Sequence, residues 1–178
     1  RVVSDPNPLG EAALLLASGI AGLFPGAVAP ATGPAIPDGR LQIAHGDTIE
    51  AIYLDAAPEA RRTSDALADL LPPSLTGVAD ATRFGRLNIT WETDEPANAI
   101  VEFGATPALG SFVTNRAFVT SHRVVLDGFA PEQSVYYRVR SRDAAGNEGL
   151  ADAAGIPFET SLAASARILV IDQYDPTF

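Results

Sequence analysis

The chain has 178 residues, with 12 basic and 22 acidic side chains and a formal net charge of −10. Every basic residue is arginine, and cysteine and methionine are absent, which excludes a disulfide framework, a cysteine-based zinc or iron–sulfur site and a thiol nucleophile. An acidic chain without lysine is also ill suited to holding nucleic acid by its phosphates, and no apolar stretch reaches the length of a transmembrane helix.

The length allows one large domain or two small ones. Turn residues recur every eight to twelve positions, and the segments between them are short and alternating, a rhythm of antiparallel β-structure. Ala12 to Ala17 reads as a strand bounded by Gly10 and Gly19, and the proline-rich stretch Gly26 to Gly39 as a loop or irregular edge. Leu41 and Ile43 alternate before a turn at His45-Gly46-Asp47, after which Ile49, Ala51 and Tyr53 share a face. Arg62 to Leu70 reads as either a strand or a short helix. The paired prolines in Leu71-Pro72-Pro73-Ser74 mark a semi-rigid linker.

Beyond the linker the alternation sharpens. Leu87, Ile89 and Trp91 face one way and Asn88, Thr90 and Glu92 the other. Val101 and Phe103 repeat the pattern, then Val124 and Leu126, then Val135, Tyr137 and Val139 against Tyr136, Arg138 and Arg140. Thr93-Asp94-Glu95-Pro96, Gly104-Ala105-Thr106-Pro107, Asp127-Gly128 and Asp143-Ala144-Ala145-Gly146-Asn147 read as turns.

Five stretches within Leu87 to Thr160 carry a family likeness: Ile89 to Pro96, Val101 to Gly104, Val119 to Val124, Leu126 to Pro131, and Tyr136 to Arg140 running into Asp143 to Asn147. Together they resemble a fibronectin type III-like domain of the variety common in bacterial secreted proteins and similar to the N-terminal domain of purple acid phosphatases. One departure is that Val135 stands where the family has its corner tyrosine. Upstream, Gly22 to Gly26, Asp38 to Ile43, Gly46 to Ile49 and Tyr53 to Asp55 resemble an immunoglobulin-like repeat of large microbial surface and secreted proteins. The expected fold is therefore all-β. Two immunoglobulin-like or fibronectin III-like β-sandwiches stand in tandem, residues 1–73 and 75–162, with a C-terminal extended tail, residues 163–178.

In that tail Ile168, Leu169, Val170 and Ile171 form a continuous apolar run before Asp172, resembling the first buried strand of a parallel α/β domain. The run is expected to pair with a downstream or partner domain, hinged at Leu162-Ala163-Ala164-Ser165. Arg1 in first place, without an initiator methionine, reads as the product of processing or excision.

Candidate chemistry is sparse. His122 follows Ser121, but neighbouring strand residues point to opposite faces, so the pair cannot act as nucleophile and base. His45 is expected at the surface of a turn. Asp143, Asn147 and Glu148 share a loop and are weak candidate calcium ligands, against the plainer reading of solvated turn residues; Asp94 and Glu95 share another loop. Tyr136, Arg138 and Arg140 could form a binding ladder through cation–π contacts, against an ordinary solvent face.

The resemblances imply a non-catalytic structural, spacer or adhesive segment of a large secreted or cell-surface bacterial protein, with no cofactor unless calcium binds. Its partners would be neighbouring domains of the same polypeptide or other protein subunits, with neither nucleic acid nor a membrane span, and with self-association open. The alternatives are an accessory module positioning the catalytic domain of a secreted hydrolase of protease or phosphatase type, and a subunit of an extracellular filament joined by strand exchange.

Overall fold

The computed structural model describes residues 1–4, 8, 10–16, 25–56 and 59–163. The described residues are all-β, and the chain divides into two compact units, Arg1–Leu71 and Pro72–Phe178.

The first unit contains β1 (Val2–Val3), β2 (Ala29–Ala31), β3 (Arg40–Gln42), β4 (Thr48–Ala56) and β5 (Glu59–Leu67). Strands β4 and β5 form an antiparallel ribbon that β1 joins along the outer edge of β4, while β2 and β3 run parallel in a separate pair. Leu41, Ile43 and Ala68 are buried, with Val2, Val28, Ile49 and Leu70 packed around them. The chain from Arg62 is therefore strand as far as Leu67, not helix. Its backbone finds a nine-residue ladder on β4, and strand pairing overrides the helical preference of alanine and leucine.

One expectation fails here. Residues 12–16 form no strand; Glu11 makes an isolated bridge to Val2 through two backbone hydrogen bonds of 2.8 Å, the Leu16 N–H donates to the Pro25 carbonyl at 2.9 Å, and Leu14, Leu15 and Leu16 are exposed. Alanine and leucine lack the β-branching that suits a pleated surface, and no core face is there to receive them. Ile49, Ala51 and Tyr53 share a face of β4 as expected, and that face is only partly covered. Ile49 packs near the base of the ribbon, whereas Ala51 and Tyr53 are exposed beyond the reach of so small a core.

The second unit contains β6 (Leu75–Arg83), β7 (Arg86–Gly104), β8 (Ser111–Leu126), β9 (Ser134–Arg142), β10 (Glu148–Ala151) and β11 (Phe158–Ser161). Its frame is one long β7–β8 hairpin whose ladder breaks twice, between Glu92 and Ala97 and between Ala97 and Ala99. Before the break β7 lies between β6 and β8; beyond it β7 lies between β8 and β9. β10 and β11 then cover successive parts of the far edge of β9.

The inward residues of both halves meet in one cluster. Leu87, Ile89 and Trp91 from before the break join Ala99 and Val101 from beyond it, with Val124, Leu126, Val135, Tyr137 and Val139. A hairpin folded across itself so that its two halves share a core is a β-sandwich. The fold occurs at Thr93-Asp94-Glu95-Pro96, which is a break within a strand rather than the expected turn. Pro96 has no N–H to give a ladder, and Asp94 accepts instead from the Ser74 N–H at 2.8 Å.

Leu162 corrects the expected hinge. It is buried in this core, and its backbone donates to Gln133 and accepts from Glu132. A side chain and two hydrogen bonds so committed belong to the sandwich, so a hinge cannot begin before Ala163. Ile168 to Ile171 lie outside the described residues.

Candidate functional site

The densest polar constellation sits where the β7–β8 hairpin folds over. Trp91 and His122 oppose each other across the ladder, and their rings stack at 5.0 Å. The indole N–H donates to Ser141 Oγ at 2.9 Å, and Ser141 is fully buried on β9. His122 Nε2 lies 3.0 Å from Thr93 Oγ1, and that hydroxyl donates to the Glu95 carbonyl at 2.7 Å. With the threonine proton so used, Nε2 is the donor to Thr93 Oγ1.

Burial lowers the His122 pKa from its ordinary value, and Glu92 pulls only weakly the other way. Ser121 faces outward and donates to Glu92 at 2.9 Å, so the opposite-face reading of Ser121 and His122 describes their geometry. The hydroxyl nearest the imidazole, Thr93, is buried and already donating. The cluster braces the fold-over and offers no open nucleophile–base pair.

A second constellation lies on the outer face of the sheet formed by β7, β9 and β10. Glu102 bridges Arg138 and Arg140, and Glu148 bridges Arg140 and Arg142. Glu102 meets Arg140 at 2.7 Å, and Glu148 meets Arg142 at 2.8 Å. The register requires this arrangement: Glu102 is opposite Arg138 and Glu148 opposite Arg142, which leaves Arg140 between the two carboxylates.

Burial works against ionisation of both glutamates, but the hydrogen bonds and positive charge of the arginines outweigh it and hold them below the ordinary value. Tyr136 completes the row through its hydrogen bond to Glu159, which pushes the phenol up. The sequence placed Tyr136, Arg138 and Arg140 together on this face; it did not supply the glutamates. Their contribution leaves the arginines engaged with carboxylates, not with the tyrosine ring.

The calcium candidates separate. Asp143 accepts from the backbone N–H groups of Gly146 and Asn147 at 2.6 and 2.9 Å and from the Asn147 amide at 2.8 Å. Glu148 turns to the arginine ladder instead. Asp143 thus closes its own loop, as carboxylates in tight turns do. In the first unit, His45 stays at the surface, accepting from the Leu70 N–H at 3.3 Å and lying 3.3 Å from Asp69.

Two features escaped the sequence pattern. Tyr137 is buried with its hydroxyl donating to Asp80 at 2.9 Å, and burial together with that bond raises its pKa. This tie crosses from β9 to β6. The first unit also holds a groove of about 900 Å³ whose lining includes Leu15, Ala51, Tyr53, Leu54, Arg61 and Arg62. Among the described residues of its wall the titratable side chains are arginine and tyrosine, with no carboxylate or imidazole for acid–base work. The chain matches no protein-family model, and no curated protein matches it at a significant level.

Proposed function

We propose that the chain is a non-catalytic structural segment of a large secreted or cell-surface bacterial protein, built from an immunoglobulin-like unit followed by a fibronectin III-like unit. The observation that carries this reading is the folded β7–β8 hairpin. Its first half pairs with β6, and its second half pairs with β9, beside β10 and β11. That connectivity is what a Greek-key sandwich of the immunoglobulin class requires. The polar groups that could do chemistry in this unit support the same reading, because they are spent on bracing. His122 is stacked and buried, Ser141 holds the indole, and Glu102 and Glu148 hold arginines. A spacer works by transmitting position, and cross-strand ties of this kind hold neighbouring strands in register.

A turnover screen tests the reading. The purified chain is expected to leave peptide, ester and phosphate substrates intact. Reproducible turnover that copurifies with the chain and disappears in His122→Gln, with the fold retained by circular dichroism, would overturn it.

A further inference from the structure

The β6–β7 hairpin closes through the two-residue turn Phe84-Gly85, with Arg83 and Arg86 as its closing pair. Both turn residues have positive φ, +51° at Phe84 and +73° at Gly85, the geometry of a type I′ turn. Asn-Gly suits that turn because asparagine tolerates the left-handed region, whereas a bulky side chain there is strained. Phe84 nonetheless occupies the position at 85% exposure, the highest among the exposed large hydrophobic side chains of the described residues. The tip is held firmly from behind. Gly85 accepts from the Phe129 N–H at 3.2 Å, and a Cβ at Gly85 would stand 2.8 Å from the Phe129 carbonyl oxygen.

Two arginines flank the same tip. Arg138, Arg140 and Arg142 are tied to glutamates, but neither Arg83 nor Arg86 forms an ion pair among the described residues. The Arg83 guanidinium lies 4.8 Å from the centre of the Phe84 ring, and the two arginines oppose each other across the hairpin, an arrangement that repels. The turn therefore presents an aromatic point flanked by two arginines, with Asp127, one residue beyond the Leu87–Leu126 rung, as the acidic neighbour of Arg86.

The geometry points to this turn as an insertion tip for an anionic lipid surface: Phe84 enters the headgroup–acyl boundary while Arg83 and Arg86 meet lipid phosphates. A protein pocket is the poorer fit, because a protein hot spot needs a rim of surrounding contacts that excludes water. Here a single ring stands on a two-residue turn. A lipid interface deforms around one convex side chain and offers phosphates on both sides of it.

Vesicle sedimentation of the 178-residue chain tests the proposal, with phosphatidylcholine vesicles containing phosphatidylglycerol compared with phosphatidylcholine alone. Binding is expected to the anionic vesicles and to weaken with added salt. Phe84→Asn should lower partitioning about tenfold while raising the melting temperature, because asparagine relieves the turn. Arg83→Gln combined with Arg86→Gln should lower it about tenfold or more with the fold intact. Failure of the native chain to bind anionic vesicles at low salt overturns the proposal. Undiminished binding by either variant overturns it equally, and both outcomes are independent of the spacer function.

Discussion

Truncating Trp91 to alanine removes the largest fully buried side chain of the second unit, only 1% exposed. Loss of a buried tryptophan costs about 3–5 kcal/mol from transfer and cavity alone. The structure adds two further losses, the stack on His122 and the partner of the buried Ser141 hydroxyl. The expected value therefore lies towards the upper end of that range, a large share of the roughly 5–15 kcal/mol that holds a domain together. Because Trp91 is the sole tryptophan, its fluorescence vanishes with it, and urea unfolding must be followed by far-ultraviolet circular dichroism. The transition of the second unit should move far to lower denaturant. A cycle of Trp91→Phe and Ser141→Ala isolates the hydrogen bond. Each single change leaves one buried polar group alone, at about 1–3 kcal/mol, so the double change should cost less than their sum. A loss below about 1 kcal/mol for Trp91→Ala, or strictly additive losses in the cycle, would refute the packing described for the fold-over.

Two further perturbations probe the same unit. The His122 pKa is depressed in the fold, so between that value and the ordinary 6.5 the unfolded chain binds more protons than the native one. Stability should then be full above pH 6.5 and decline as pH falls through the window towards the folded pKa; thermal melts of His122→Gln showing the same decline would assign it elsewhere. Gly149→Ala would drive a Cβ into the Pro73 carbonyl oxygen and to 2.6 Å from Leu75 Cδ1, both within the second unit. Since backbone cannot yield as a flexible side chain does, the expected loss is about 1–3 kcal/mol, and an unchanged melting temperature would show that β10 sits differently.

Strands whose two faces differ in polarity were legible from the order of residues alone. Leu87, Ile89 and Trp91, or Val135, Tyr137 and Val139, can bury only one side of a period-two strand, so their inward faces follow from alternation alone. The divergence of Ser121 and His122 followed too, because alternation is a local property of the chain. The weakly patterned first unit was less legible. Ala12 to Leu16 and the β4–β5 ribbon carry apolar residues without a core large enough to cover them, and burial is a property of neighbours that a local pattern does not contain. Which distant groups meet emerged with the packed strands. Glu102 and Glu148 neutralise the arginine row, Asp80 takes the Tyr137 hydroxyl, Ser141 takes the Trp91 indole, and Leu162 completes the core. Most of these partners lie far apart along the chain, and their contact depends on strand register and on where one hairpin folds. Phe84 shows the same division. Its residue type was plain in the sequence, but the left-handed backbone and the exposure that give it meaning come from the turn that β6 and β7 impose.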